Sequence, residues 1–220
     1  LNQDYDNLQI YVYDNESQDG TVEHVRKRSF ENDKISVVSV KNLYPNSYRE
    51  AFEHAFENVD ADYLTFIASD DYIAPNYISN CVNIISKNPN KILCIQSPIV
   101  GVQGGIETNM QKHTYKSMSE FKNLCLQKSP VNTPTVIYHK SLYKYLKMSA
   151  HIENNIICSG AEDYDMYCCL ADNGVFIYPV PAHLGYYYRW HKNQCTWSVH
   201  KDPNNYDKII QNYWKNKWTT

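Results

Sequence analysis

Short apolar runs alternate with helix-like segments along the first half of the chain, and this alternation constrains the fold more than any other feature of the sequence. Runs typical of strands occupy residues 8–13, 35–40, 63–67 and 92–100, and apolar residues recur at helical spacing near 47–58 and 76–87. A strand, a crossover helix and a second strand make a βαβ unit, in which the two strands are parallel. The pattern therefore predicts an α/β fold with an open, mainly parallel sheet flanked by helices.

The second half is less regular but contains the same kinds of element. A polar stretch covers 101–114, helices are predicted near 118–126 and from 161, strands at 134–138, 175–178 and 184–189, and an amphipathic helix at 203–218. No repeat, low-complexity tract or linker divides the sequence. We therefore expect a single domain over residues 1–220, capped by a helical tail at 201–220.

The composition excludes several classes of partner. The 21 Lys and Arg nearly balance the 24 Asp and Glu, which argues against nucleic acid as a partner. The seven Cys include no CxxC pair, and an odd count in a chain of this length favours reduced thiols in the cytoplasm. Since no apolar run reaches the ~20 residues that a transmembrane helix needs, we expect a cytoplasmic protein, with peripheral association at the inner face of the membrane as the alternative.

Carboxylates follow two of the predicted strands directly. Asp14 comes after the first strand, and Asp70 and Asp71 come after the third. Ligands of open α/β sheets bind beyond the carboxyl ends of the strands. Two adjacent carboxylates repel each other unless a cation compensates, and Mg²⁺ or Mn²⁺ that bridges substrate phosphates suits such oxygen ligands. The alternative is a solvated turn that caps the next helix.

Two later segments carry further candidate groups. The segment GAEDYD at 160–165 puts Glu162, Asp163 and Asp165 at a predicted helix start, where a carboxylate can act as a general base or simply complement the helix dipole. The segment YYYRWHKNQ at 186–194 offers Arg189 as a phosphate clamp and His191 as a metal or diphosphate ligand. A purely structural His beside Trp is the alternative for the second segment.

Four segments follow one another in the order of motifs found in one enzyme family. They are LNQDYDN with DNESQDGT at 1–21, ASDD at 68–71, GAEDYD at 160–165 and YRWH at 188–191. They resemble the "D-N-x-S-x-D-G-T", DXD-type, "G-E-D-x-D" and "Y-R-x-H" motifs of family 2 glycosyltransferases. The resemblance covers residues 1 to about 196 and implies a Rossmann-like GT-A fold, with a nucleotide-sugar-binding half at 1–100 and a smaller acceptor-side and catalytic half at 101–200.

The resemblance also implies roles for individual residues. Asp14 and Glu16 would belong to the donor site, where Asp14 would bind the nucleotide base. Asp70 and Asp71 would bind the ribose and the metal on the diphosphate, His191 would bind the metal or the diphosphate, and Arg189 would bind the diphosphate. Asp163 would be the catalytic base. The implied reaction is transfer of a sugar, with inversion, from a nucleotide-sugar donor, most often a UDP-sugar, to a hydroxyl group. The implied cofactor is Mn²⁺ or Mg²⁺, the acceptor a glycan, a lipid-linked sugar or a protein, and the setting polysaccharide or glycoconjugate biosynthesis.

The sequence departs from the family pattern at two places. Ala68 stands at the first acidic position of the DXD-type motif. Family members also begin with a strand that ends in a "P-x-Y/F-N" phrase, and since the printed sequence starts after this phrase, we expect that it lacks the first strand of the fold. Two other functions stay open at this point: a nucleotidyltransferase, and a degenerate sugar-binding domain without turnover.

Overall fold

The chain divides into two compact units. The computed structural model describes residues 2–39, 47–88, 92–146, 161–194, 197 and 206–219. The smaller unit, called the N-terminal unit below, comprises Tyr5–Val59, and the larger unit comprises Leu1–Asp4 with Asp60–Thr220. The single domain expected over residues 1–220 stays a prediction.

The described residues of the N-terminal unit form one βαβ unit followed by a helix. Its elements are β1 (Ile10–Asp14), α1 (Thr21–Glu31), β2 (Ile35–Ser39) and α2 (Ser47–Asn58). The two strands are parallel, with Ile10 opposite Ile35 and Asp14 opposite Ser39. The predicted βαβ order of this region is therefore confirmed.

The described residues of the larger unit form two four-stranded sheets. Its strands are β3 (Tyr63–Thr65), β4 (Tyr72–Ile73), β5 (Cys94–Gln96), β6 (Ile99–Gln103), β7 (Ile106–Gln111), β8 (Ile137–His139), β9 (Tyr178–Pro179) and β10 (Tyr186–Arg189). One sheet has the order β4-β10-β6-β7 and the other the order β3-β8-β5-β9. The α/β class is confirmed, but the pairing is mixed rather than mainly parallel. Among the described strands, β1 with β2, β6 with β10 and β5 with β9 are parallel, and the other four pairs are antiparallel.

The single strand predicted at 92–100 is in fact two strands that belong to different sheets. Ser97 and Pro98 separate β5 from β6. Because proline has no backbone N–H to donate to a ladder, the run cannot continue as one central strand. The polar stretch at 101–114 likewise contains regular structure. Strand β7 forms a hairpin with β6 through Gly104 and Gly105, whose φ angles of 59° and 82° suit the tight turn.

The four α-helices in the described residues of the larger unit lie close to their predicted positions. They are α3 (Tyr77–Ser86), α4 (Met118–Cys125), α5 (Glu162–Asp172) and α6 (Tyr206–Thr219). Every residue from Tyr164 to Ala171 in α5 is buried, so this helix runs through the core rather than over it. Helix α6 buries Ile210 and Trp214, which confirms that the tail is an amphipathic helix. No helix within these described parts is both long and apolar enough to span a bilayer.

A close backbone approach joins β4 to β10. The amide of Ala74 donates a 2.8 Å hydrogen bond to the carbonyl oxygen of Gly185. Gly185 has a φ of 108°, and a Cβ atom there would lie 2.6 Å from the Cβ of Ala74. Only glycine accepts both constraints, and the contact brings the residues before β4 alongside β10.

Candidate active site

Asp70 and His191 form a pair at the junction of β4 and β10. The Oδ2 of Asp70 lies 2.8 Å from the Nε2 of His191, although the two residues are 121 positions apart. Their side chains are 36% and 41% exposed, so the pair is accessible from solvent. The Nε of Arg189 also donates to the backbone carbonyl oxygen of Asp70. The antiparallel pairing of β10 with β4, with Tyr186 opposite Ile73, brings the two segments together.

The imidazole of His191 is oriented by the turn that follows β10. Its Nδ1 accepts a 3.3 Å hydrogen bond from the amide of Asn193, so in the neutral ring the proton is on Nε2 and faces Asp70. The side chain of Gln194 spans the turn, since its Nε2 donates to the carbonyl oxygen of Arg189 at 2.8 Å and its Oε1 accepts from the amide of His191 at 3.2 Å. The ring is therefore held in place before any ligand binds.

The carboxylate of Asp71 is turned towards β10. Its Oδ1 accepts a 2.9 Å hydrogen bond from the backbone amide of Arg189, and its Oδ2 accepts one of 2.9 Å from the hydroxyl of Tyr186. Burial raises the pKa of Asp71 above its ordinary value, and the two hydrogen bonds oppose that rise. Asp71 thus ties the loop that carries Asp70 to the strand that precedes His191.

Asp163 lies in the first turn of α5 and has different neighbours. Its Oδ2 accepts a 2.6 Å hydrogen bond from the hydroxyl of Thr133, and its Oδ1 accepts one of 2.7 Å from the amide of Tyr164. Burial raises the pKa of Asp163, the two hydrogen bonds lower it, and the charges of Glu162 and Asp207 raise it further. A carboxylate whose pKa is raised towards the working pH is a better general base than an ordinary Asp.

Buried amides fix the segment that carries Thr133. The amide of Asn132 donates to the Oε1 of Gln96 at 2.9 Å, and its Nδ2 donates to the carbonyl oxygen of Ser97 at 3.0 Å. The hydroxyl of Thr135 donates to the same carbonyl oxygen at 3.0 Å. Because Asn132 and Thr135 flank Thr133 and are buried with these partners, the hydroxyl that contacts the carboxylate has a set position.

Asp14 ends β1 in the N-terminal unit and is only 5% exposed. Its Oδ2 accepts a 3.2 Å hydrogen bond from the amide of Ser17. Its Oδ1 is buried, and no donor among the described residues reaches it. A buried acceptor without a partner costs about 1–3 kcal/mol, so this oxygen is suited to a donor group on a ligand. Glu16, in the turn after Asp14, is exposed and has a φ of 56°, a left-handed conformation that is uncommon for Glu.

The predicted site residues thus fall into three groups. Asp70, Asp71, Arg189 and His191 come together around β10; Asp163 contacts Thr133 instead; and Asp14 and Glu16 belong to the N-terminal unit. Within the residues that the structure describes, no three His, Cys, Asp or Glu side chains are grouped so as to hold a metal ion. The assignment of Asp71 as a metal ligand stays a prediction, as do the other assigned roles.

Sequence reasoning missed the roles of Thr133 and Tyr186. Thr133 precedes Pro134 at the start of a short 3₁₀ helix, Thr133–Thr135, and an Asn-Thr-Pro segment signals a turn but not a contact with a helix 30 residues later. Tyr186 opens an aromatic run in which neighbouring tyrosines look alike. Only the alternation of side chains along β10 separates the residue that faces Asp71 from Tyr187, whose ring stacks on Tyr72 at 4.8 Å.

The sequence profile of "Glycosyl transferase family 2" matches residues 1–147, which is more than half of the 220 residues. The chain belongs to glycosyltransferase family 2. The resemblance predicted from the four motifs is therefore confirmed. No curated protein matches the chain in sequence.

Solved structures show the same fold for this family 2 member. The structure of residues 1–349 of S. aureus TarS is 18% identical, with a TM-score of 0.61, over 86% of this chain and 53% of that one. TarS 1–349 in complex with UDP is 18% identical, with a TM-score of 0.57, over 95% of this chain and 57% of that one. S. aureus TarS is 16% identical, with a TM-score of 0.60, over 86% of this chain and 32% of that one. The predicted GT-A fold class is confirmed, and the chain spans about half the length of TarS 1–349.

Proposed function

We propose that this chain is the catalytic part of an inverting glycosyltransferase that moves a sugar from a UDP-sugar to an acceptor hydroxyl. Membership of family 2 and the fold shared with a TarS structure in complex with UDP support this proposal. The observation that carries it is the 2.8 Å pairing of Asp70 with His191, because it joins two motif positions of the family that are 121 residues apart in the sequence.

A divalent cation at the pair of Asp70 and His191 would replace the proton on the Nε2 of His191, and the ring proton would then be carried by Nδ1 in place of the hydrogen bond from Asn193. Such an ion would keep open positions for substrate. The Asp70 Oδ2 and His191 Nε2 atoms are 2.8 Å apart, so one cation would reach both donor atoms. Carboxylate and imidazole are ligands that Mn²⁺ accepts, and Mg²⁺ is the alternative. When bound there, the cation would supply positive charge for the departing diphosphate. Asp71 keeps the loop in register with β10, and the exposed Arg189 adds a second positive group beside Asp70.

Asp163 acts as the general base in this proposal. Its carboxylate takes the proton of the acceptor hydroxyl while the hydroxyl oxygen bonds to the anomeric carbon. The bond from that carbon to the diphosphate oxygen breaks with its electron pair, so nucleoside diphosphate leaves and the configuration inverts. The raised pKa of Asp163 suits this proton transfer.

Asp14 gives the donor its base specificity. The N3–H group of uracil is a donor, and the buried Oδ1 of Asp14 is an acceptor without a partner in the described chain. Glu16 belongs to the same proposed donor segment. The acceptor class, whether glycan, lipid-linked sugar or protein, and the cytoplasmic location stay predictions.

Calorimetric titration with UDP tests the donor and metal parts of the proposal. We expect the wild-type chain to bind UDP much more tightly with Mn²⁺ than without it. The Asp70→Ala and His191→Ala variants should lose this gain in UDP affinity from Mn²⁺. Asp60→Ala, which removes an exposed carboxylate in the same unit, should bind as the wild type does. Binding that is indifferent to Mn²⁺ and to both substitutions would contradict the proposed cation site.

Product formation tests turnover. A panel of UDP-hexoses is screened for UDP release with simple glycosides and with water as acceptors. We expect release from at least one donor. Tight UDP binding without any release would favour the alternative of a binding domain that has lost activity.

A further inference from the structure

Asp165, two residues after the proposed base, is a carboxylate with no exposed surface. It lies in the first turn of α5, and its relative exposure is 0%. The indole Nε1 of Trp214, on α6, donates a 2.7 Å hydrogen bond to the Oδ1 of Asp165. Trp214 is itself only 1% exposed. A buried carboxylate is costly unless donors surround it, so this bond is a strong constraint on both helices.

Helix α6 accompanies α5 along its whole length. At the far end of α5, Asp172 accepts a 3.0 Å hydrogen bond from the indole of Trp218 and forms a 2.7 Å ion pair with Lys217. At the near end, the charge of Asp207 in the first turn of α6 acts on Asp163. The rings of Trp214 and Trp218 contact each other, with centroids 5.2 Å apart. The tail helix therefore contacts the first and the last turn of α5.

The geometry of an α-helix couples Asp163 to this contact. Residues two positions apart point about 200° away from each other around a helix axis. Asp165 accordingly faces Trp214 while Asp163 faces Thr133, on another side of the helix. Any rotation of the first turn of α5 that lengthens one of these bonds also moves the other carboxylate.

We propose that Trp214 is a positioning residue for transfer: its indole holds Asp165, and through the first turn of α5 it fixes the direction of the Asp163 carboxylate. This inference rests on the proposed role of Asp163 as the general base. Helix α6 then contributes to turnover as well as packing against the core.

Two tryptophan variants provide a matched test in the full chain. Trp214→Phe and Trp218→Phe each keep an aromatic ring and each remove an indole N–H from an Asp on α5. With the UDP-hexose that the wild type uses best, we expect Trp214→Phe to lower kcat about tenfold or more, because small misplacements of a reacting group are costly. Its KM for the donor and its Kd for UDP should stay unchanged. Trp218→Phe should keep the wild-type kcat even if its Tm falls as much.

Trp214→Phe also removes side-chain volume, so a second variant breaks the same hydrogen bond while Trp214 stays unchanged. Asp165→Leu keeps the branching and the number of heavy atoms in the side chain but has no acceptor, and we expect the same fall in kcat. If the two residues act through one bond, the double variant should lose little more than either single variant.

Two outcomes separate this inference from the proposed function. The positioning role is overturned if Trp214→Phe and Trp218→Phe have the same kcat. It is also overturned if the losses in kcat of Trp214→Phe and Asp165→Leu add fully in the double variant. Either result leaves the transferase proposal intact. A wild-type chain that releases no UDP from any donor, or an Asp163→Asn variant with full activity, overturns the transferase mechanism and the positioning role together.

Discussion

The hydroxyl of Thr133 donates a 2.6 Å hydrogen bond to the carboxylate of Asp163. Two opposing effects therefore act on one group. Burial raises the pKa of this carboxyl, and the Thr133 hydrogen bond lowers it. The bond also fixes one of the two carboxylate oxygens. Thr133 should therefore affect both how readily Asp163 ionises and where its charge lies.

Replacing Thr133 by Val removes the hydroxyl and keeps the shape of the side chain. Without this donor, the pKa of Asp163 should rise, so the acidic limb of the profile of kcat against pH should move to higher pH. The KM for the UDP-sugar should change little. Thr133→Ser, which retains the hydroxyl, should restore the wild-type limb. An acidic limb that is identical in all three proteins would show that Asp163 is not the group that titrates in turnover.

Replacing Asp163 by Asn should separate binding from turnover. Loss of a general base costs about 10²–10⁴-fold in rate, so we expect kcat to fall at least about 100-fold while the Kd for UDP stays unchanged. Full retention of UDP release would contradict the proposed mechanism. Equal losses in UDP binding and in kcat would instead assign Asp163 a structural role.

The same variant should be more stable than the wild type at neutral pH. The pKa of Asp163 in the folded protein is raised above the ordinary value of 3.8, so ionisation is harder in the folded chain than in the unfolded one. This penalty is absent below the unfolded pKa and develops as the pH rises through the folded pKa. Asn carries no charge, and Asp163→Asn should raise Tm at pH 7 by an amount that vanishes as the pH falls towards 3.8. A difference in Tm that is independent of pH would contradict the raised pKa.

Local patterns predicted most of the helices, because each helix carries its own evidence in the spacing of its apolar residues. The bounds predicted for α2, 47–58, agree with the observed Ser47–Asn58. The tail helix was likewise evident from Ile210 and Trp214 at i and i+4, and both are buried. Asp14 was found at the end of β1 for the same reason, since the preceding apolar run marks where that strand ends. Strand β3 ends at Thr65, earlier than predicted, so Asp70 and Asp71 lie in the segment between β3 and β4.

Contacts between distant segments could not be predicted in the same way. Strand β4 has two residues, too few for any periodicity, yet its pairing with β10 is what brings Asp71 to Tyr186 across 115 positions. The break at Pro98 has a local signal, but the assignment of β5 and β6 to different sheets depends on partners elsewhere in the chain. Gly160, in the motif before α5, lies outside the described residues.

Tyr186 offers a test of the contact between β10 and the loop that carries Asp70 and Asp71. Tyr186→Phe leaves the Oδ2 of the half-buried Asp71 without its 2.9 Å donor, and the loss of one hydrogen bond costs about 0.5–1.5 kcal/mol. We expect the free energy of unfolding in urea to fall by that amount and the Mn²⁺-dependent binding of UDP to weaken. Tyr187→Phe keeps the ring that stacks on Tyr72 and should change neither quantity. Equal effects of the two substitutions would show that the hydroxyl of Tyr186 contributes nothing specific.

Asp14 should determine which base the donor carries. Uracil presents a donor at N3, and cytosine presents an acceptor there, which the Asp14 carboxylate would repel. Hydrogen bonds to charged groups contribute about 1.5–3 kcal/mol, so we expect UDP to bind about 10–100-fold more tightly than CDP. Asp14→Ala should weaken UDP binding and remove most of this preference. Comparable Kd values for UDP and CDP in the wild type would contradict the assignment.

Gly185 should be more sensitive to a methyl group than another glycine of similar backbone conformation. In Gly185→Ala the new Cβ would lie 2.6 Å from the Cβ of Ala74, and the φ of 108° strains any residue with a side chain. Gly174, after α5, has a φ of 74° but no atom within 4 Å of an added Cβ, so Gly174→Ala carries the backbone cost alone, about 1–2 kcal/mol. Overpacking adds about 1–3 kcal/mol, and urea unfolding should therefore show a larger loss for Gly185→Ala. Because this contact holds β10 beside β4, Gly185→Ala should also weaken Mn²⁺-dependent UDP binding, whereas Gly174→Ala should not. If both variants lose the same stability and bind UDP alike, the approach of Gly185 to Ala74 is not what keeps Asp70 beside His191.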